Sequence, residues 1–393
     1  MKNIILLLLV IFALLSCSKT VESDWTILIY MAADSDYALD LAALADIEDM
    51  MQADFSENIN IILQVDHSEA YTPSAAYRYH IYPGLQEQIS YLGEIDSGDE
   101  NELTAFANWG FRLYPSDNQA LIIWSHGNGW YPAARDLPPS FCPDIEADNY
   151  IGIAGGELRR GIKNINEHLE ILIFDACNMQ TVEVAAEVAD YADYIIGSEG
   201  GVNSAGFPYA EIFSSWEQQT TTENICLEIG FQYHKYYNLE EIFPISCSVL
   251  KSSGFSQFLD KLEEFTAKWS VQASDEIFME SRQDCIEFNG AGFTNPALDV
   301  DVKEFFTKVY EETVIDSLST ISNEIIAAIN SCYIFQNTDE YPPGFISDDV
   351  GTAIIWFPDV ETQGFFENRK DEYQHLQFSQ TAWLDFLENS FTN

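Results

Sequence analysis

Apolar residues in this chain recur in short runs that end in polar or glycine-rich residues. The runs are Trp25–Met31, Ile59–Val65, Tyr77–Ile81, Ala120–Ser125, Leu169–Phe174 and Tyr194–Ile196. Several are apolar at both odd and even positions, the pattern of strands covered by helices on both faces. Between them lie Tyr37–Met51, Leu103–Tyr114, Glu157–Ile165 and Thr181–Ala189, which read as helices. Strand and helix alternate, and that alternation predicts an α/β fold with a mostly parallel sheet. The stretch from Pro132 to Tyr150 is proline-rich, acidic and without periodicity, so it reads as a long surface loop. Beyond about residue 250 the pattern becomes more helical, with Phe255–Trp269, Val302–Glu311 and Ser317–Ser331 as helices. One further strand, Thr352–Phe357, precedes a closing helix at Thr381–Glu388. The expected division is a main domain over 25–250 and a C-terminal helical region over 251–393.

The first residues follow neither period. Met1-Lys2-Asn3 is a short basic start and Ile4 to Leu15 is unbroken apolar sequence. That run is too short to span a bilayer but suits the core of a signal peptide over 1–16. It ends in Leu14-Leu15-Ser16-Cys17, which resembles the lipobox of bacterial lipoproteins. The resemblance implies lipidation of Cys17, a tether over 17–24, and an exported chain anchored in the cell envelope. No later segment approaches about 18 consecutive apolar residues, so the lipid would be the membrane anchor.

Charge narrows the partners. The chain carries 64 acidic against 17 basic residues, a formal net charge of −47. Such a surface repels phosphates and argues against a nucleic-acid partner, while it attracts cationic substrates weakly at physiological salt. Besides Cys17, cysteines stand at 142, 177, 226, 247, 285 and 332. None forms a CxxC pair, so no zinc-finger type of metal site is expected. One of them is free to serve as a working thiol.

In open α/β sheets ligands bind beyond the carboxyl ends of the strands. Two strand ends carry chemistry there. Leu121-Ile122-Ile123-Trp124-Ser125 runs into His126-Gly127-Asn128-Gly129-Trp130, and Ile171-Leu172-Ile173-Phe174 runs into Asp175-Ala176-Cys177-Asn178-Met179. A thiolate is the attacking form of cysteine, and an imidazole beside it carries protons to the leaving amine. Cys177 also precedes a predicted helix, whose N-terminal amides favour negative charge. Gly127 lets the backbone approach closely, and its amide with that of Cys177 would hold an oxyanion.

The same residues resemble the clostripain-like cysteine peptidases, relatives of caspases, legumains and gingipains. Tyr30-Met31-Ala32-Ala33-Asp34 is similar to that family's first strand and loop, and Trp124 to Trp130 to its histidine motif. Asp175 to Met179 followed by Val182-Glu183-Val184-Ala185 is similar to its nucleophile motif. Ile196-Gly197-Ser198-Glu199 followed by Gly206-Phe207-Pro208-Tyr209 is similar to its substrate-pocket loop. Gly351 to Pro358 followed by Trp383-Leu384-Asp385-Phe386-Leu387 is similar to its C-terminal segment. The resemblance implies a caspase-like three-layer α/β sandwich and a Cys177–His126 dyad. It also implies endopeptidase cleavage after a chosen P1 residue, usually Arg or Lys, held by acids in the pocket. Asp175, Ser198 and Glu199 are the pocket candidates, Asp175 having as its other reading the ordering of the nucleophile loop.

The sequence departs from that pattern at two places. Ala205-Gly206-Phe207 stands where the family often has an acid before Gly-Trp, and Gln180 stands where glycine is common. Some relatives need calcium or mature by cleavage between histidine and cysteine. Here Arg135, Arg159, Arg160 and Lys163 lie in that interval, whereas no D-x-D-x-D-G loop is present and Asp34 and Asp36 read as helix-capping acids. Two rival functions remain. His126-Gly127-Asn128-Gly129 is similar to a lipase oxyanion motif, but the sequence around Ser204 has Val202 where G-x-S-x-G needs its first glycine. The other rival is a catalytically inactive, lipid-anchored binding protein on a peptidase fold.

Overall fold

The computed structural model describes residues 23–68, 74–131, 141–240, 245–272, 281–283, 285–288, 298–336, 351–358 and 362–392. The expected signal peptide, Cys17 and most of the tether lie outside the described residues, as does Arg135. Nine strands form the central sheet: β1 (Ser23–Ala32), β2 (Ile59–Asp66), β3 (Ala76–Tyr82), β4 (Leu85–Gly93), β5 (Ser116–Trp124), β6 (Leu169–Asp175), β7 (Ala192–Gly197), β8 (Ser248–Lys251) and, after two short strands in a second sheet, β11 (Tyr333–Phe335). Their order is β11-β8-β7-β6-β5-β1-β2-β3-β4. The five central strands pair in parallel, and β3, β4, β8 and β11 are added at the two sides by antiparallel pairing. The second sheet joins β9 (Glu287–Phe288), β10 (Asp299–Asp301) and β12 (Ile354–Trp356) in the order β12-β10-β9.

The apolar-on-both-faces pattern is the reason for three layers. Odd residues of β1, such as Ile27, Ile29 and Met31, pack with α1 (Tyr37–Met50), while even residues Leu28, Tyr30 and Ala32 pack with α2 (Glu100–Leu113) and α3 (Glu157–Lys163). After α4 (Val182–Val188) on that second face, α5 (Tyr209–Trp216) and α6 (Thr222–Leu239) return to the first. The second face is completed by α7 (Phe255–Gln272), α8 (Val302–Glu312), α9 (Asp316–Cys332), α10 (Gln363–Tyr373) and α11 (Trp383–Thr392).

Three expectations change. The tether is shorter, because Ser23 and Asp24 already belong to β1. The boundary at 250/251 falls inside β8, and one buried cluster includes both Leu28 and Phe305, so the C-terminal helices complete the same core. Where one late strand was expected, β9, β10, β11 and β12 all follow residue 250; at two or three residues each, they are too short to show a period of two. Of the cysteines, Cys142, Cys177, Cys226, Cys247, Cys285 and Cys332 are all free thiols.

Candidate active site

Register places the chemistry. In the parallel pair β5–β6, Trp124 lies opposite Asp175. His126 and Cys177 each follow by two residues, so both side chains emerge at the same rim. They line one cleft of about 200 Å³ together with Asp175, Val202, Asn203 and Gly206. The two loops interlock through their glycines. A methyl group on Gly127 would overlap the carbonyl oxygen of Cys177, and one on Gly129, at φ +57°, would crowd the carbonyl of Asn178. Gly127 stands opposite Phe141 in a single bridge whose hydrogen bond runs from Cys142 N to His126 O, so the Gly127 amide is not consumed there.

Cys177 and His126 share the cleft but hydrogen-bond elsewhere. The Cys177 thiol accepts from Val202 N at 3.2 Å and approaches Val202 O at 3.8 Å. His126 Nε2 lies 3.1 Å from Asp36 Oδ2, and both side chains are partly exposed. Burial pushes the Cys177 thiol up from its ordinary pKa, the Val202 amide pulls it down, and Asp175 raises it again. The helix expected to favour the thiolate begins only at Val182, with Thr181 as its cap, and the thiol's pKa is raised.

Asp36 serves two purposes. One oxygen caps α1 by accepting from Leu39 N at 2.9 Å, and the other meets His126. Partial burial opposes its ionisation, but these two contacts hold it below the usual carboxylate range. Asp34, also read as a capping acid, instead turns inward and accepts from Glu146 N at 3.4 Å.

Beneath the cleft lies a pair of carboxylates. Asp175 accepts from Tyr209 OH at 2.7 Å and Phe207 N at 3.3 Å. Burial raises its pKa to about 6 against those two donors. Asp46, from α1, accepts from Trp124 Nε1 at 2.7 Å; burial and then Asp175 raise its pKa well above normal. A Cβ on Gly206, at φ +58°, would stand 2.7 Å from Asp46 Oδ2 and 3.2 Å from Asp175 Oδ2, so both acids press on one point of the cleft wall. Asp46 also lines an adjoining recess with Glu48, Asp49 and Ala205. It was missed in the sequence because an acid within a helix reads as a solvated face.

Ser198 and Glu199 do not line the cleft, contrary to expectation. Ser198 donates to Gly200 O at 3.1 Å, and Glu199 is fully buried, accepting from Ser246 Oγ at 3.0 Å. Burial and then the neighbouring Asp301 raise the Glu199 pKa far above normal. The cause is where β7 ends: residues 198–200 run beneath the nucleophile loop, receiving Gln180 N and Asn178 N on the carbonyls of Ser198 and Gly200. Val202, Asn203 and Ser204 take the place at the cleft. Arg159, Arg160 and Lys163 lie on α3, with Arg159 paired to Glu187 and Arg160 to Glu100.

With a histidine and a cysteine at adjacent strand ends of a caspase-like sandwich, comparison with known proteins becomes specific. The sequence pattern of the clostripain family, a peptidase family, matches residues 29–388. The chain belongs to the clostripain family. It is 28% identical over 242 residues to clostripain of Hathewaya histolytica, a match that covers 53% of this chain and 45% of that protein. The chain thus spans less than half the length of that relative. Among clostripain-family structures, an inactive zymogen C11 protease from Parabacteroides distasonis superposes with a TM-score of 0.67 at 21% identity, covering 91% of this chain and 99% of that one. A secreted C11 cysteine protease from Bacteroides thetaiotaomicron gives 0.68 at 18% identity, covering 93% and 99%. Both share the clostripain-family fold seen here.

Proposed function

We propose that this clostripain-family chain is a cysteine endopeptidase that cleaves after arginine or lysine. The observation that carries the reading is the convergence of His126, Cys177 and a buried pair of acids on one cleft. In this mechanism His126 takes the thiol proton as the Cys177 sulfur attacks the scissile carbonyl carbon, and the amides of Gly127 and Cys177 receive the oxyanion. His126 gives a proton to the departing amine, leaving a thioester that water hydrolyses. Asp175, with Asp46 behind it, would pair with the P1 guanidinium or ammonium group. The absent loop acid at Ala205 is thereby made up from α1.

The Val202 contact on Cys177 supports a closed resting form, in which the 200–206 loop must move before a substrate can reach the sulfur. That contact also favours one second reading, a chain that keeps the fold without turnover. Residues 1–16 and Cys17 would give export and a lipid anchor in the cell envelope; among the described residues no helix is long and apolar enough to cross a membrane. Labelling with a thiol-reactive peptide bearing P1 lysine separates the readings. The peptidase reading expects labelling that Cys177→Ala removes, and no labelling before or after limited nicking would favour the inactive protein.

A further inference from the structure

The nucleophile loop is gripped from both sides. On one side Asn178 N and Gln180 N donate to the carbonyls of Gly200 and Ser198, each at 2.9 Å. On the other side Ile354 N of β12 donates to Gln180 O at 3.1 Å, and Thr181 pairs with Ile354 in a single parallel bridge. The second sheet is thereby joined, through β12, to the segment that carries Cys177. That backbone pairing stops where the chain turns into α4 at Val182.

One side chain continues it. Glu183, in the first turn of α4, is fully buried. Its Oε1 accepts from Trp356 N at 2.9 Å and from Tyr373 OH at 2.8 Å. Alternate amides of a strand face the same edge, so Gln180 O and Glu183 Oε1 take the two β12 amides on that edge, while Ile355 pairs with Val300 of β10 on the other. Burial raises the Glu183 carboxyl to about 7, and the Trp356 amide is first among the donors that oppose the rise.

The two groups that Glu183 holds also reach the histidine loop. Trp130, four residues after His126, meets the rings of Trp356 and Tyr373 edge to face, with centroids 5.0 and 4.8 Å away. Nearer the cleft, a Cβ on Gly129 would stand 3.1 Å from Asn178 O and 3.2 Å from the Thr181 methyl group. The histidine loop thus rests on the nucleophile loop directly at Gly129 and on the donors of Glu183 at Trp130.

We propose that Glu183 is a positioning residue for the cleavage reaction: its Oε1 fixes Trp356 and Tyr373, and through them holds the Cys177 and His126 loops at one separation. Such a role exists only if the chain is the peptidase proposed above. Glu183 does not line the cleft, so it acts on the reacting groups only through the two loops. Its loss should slow the chemical step and leave substrate binding, which the cleft acids provide, nearly as it is. A displacement of about 1 Å between reacting groups is enough to cost about 100-fold in rate.

The experiment measures hydrolysis of a fluorogenic P1-lysine peptide by the mature chain. Active sites are counted by complete labelling with the thiol-reactive P1-lysine peptide, so that unfolded chains do not lower kcat. Glu183→Met, of similar length but without an acceptor, should lower kcat per labelled site at least about 30-fold and change KM less than about threefold. Glu183→Gln, which keeps an acceptor at the Oε1 position, should recover most of that loss. Tyr373→Phe keeps the ring and removes one donor; it should lower kcat between about threefold and tenfold at nearly constant KM, and it carries the test if Glu183→Met does not fold. With a wild type that cleaves, an unchanged kcat per labelled site in Glu183→Met, or in Tyr373→Phe where Glu183→Met does not fold, would overturn the positioning role alone. So would a loss that falls on KM, or one that Glu183→Gln does not recover. A wild-type chain that neither cleaves nor labels, before or after limited nicking, would overturn the peptidase reading and the positioning role together.

Discussion

The carboxylates beneath the cleft and those beyond β2 stand at the same edge of one sheet, yet they are furnished differently. Asp175 and Asp46 each have a strong donor, Tyr209 OH and Trp124 Nε1, both at 2.7 Å. Asp66 has none of good geometry, and Asp34, Glu94 and Asp144 face it directly. The first pair keeps one negative charge above about pH 6, on Asp175, because burial and then Asp175 raise the Asp46 pKa well above normal. The second group holds its charge poorly, burial and the neighbouring carboxylates raising Asp34 to about 7 and Asp66 to about 9. Burial alone therefore does not decide how much charge a group of acids holds; the provision of hydrogen-bond donors also counts.

Several substitutions would break or sharpen that contrast. The largest effect should come from Asp175→Asn, which keeps the shape and removes the charge facing P1. Steady-state kinetics should show kcat/KM falling about 100-fold for lysine and arginine substrates, with little change for an uncharged P1 residue. Asp46→Asn should lower the same ratio by less than about tenfold, because burial and then Asp175 already keep Asp46 protonated. An equal loss on charged and uncharged substrates in either variant would make these acids structural.

Acidity gives a third, smaller effect. The folded pKa of Asp175 is raised to about 6 by burial, above its unfolded value near 4. The folded chain thus holds this proton more tightly, and the resulting stability is fully present below about pH 4 and lost as pH rises through about 6. Denaturant unfolding of Asp175→Asn should lack that loss, on the order of 3 kcal/mol. Cleavage after lysine should rise over the same interval as the carboxylate ionises. The smallest effect belongs to Glu199→Gln. This side chain is buried beside Asp301 and does not line the cleft, so cleavage should change less than about twofold. A specificity change there would restore it to the pocket.

Much of the fold was legible in the chain because the central strands are apolar on both faces and the helices between them are well separated. Strand β4, Leu85–Gly93, was not, since most of its positions are polar or solvent-exposed and it gains its place by pairing with β3. The short strands after residue 280 were hidden for want of length. At the site, His126, Gly127, Asp175 and Cys177 were legible because each stands within two or three residues of a strand end. Asp46 and Asp66 were not: one is an acid within a helix and the other a strand's last residue, and only the packing of distant segments gives them partners. Glu199 misled because a position two residues past a strand end faces a cleft only when the chain turns toward it. Here the chain runs beneath the nucleophile loop instead.

The most direct test is hydrolysis of paired fluorogenic peptides, alike except for lysine or an uncharged residue at P1, by the mature chain and by Cys177→Ala and Asp175→Asn. The account predicts strong preference for lysine, no turnover in Cys177→Ala, and loss of the preference in Asp175→Asn with residual cleavage of the uncharged peptide. Turnover that survives Cys177→Ala, or a lysine preference unchanged in Asp175→Asn, would contradict it.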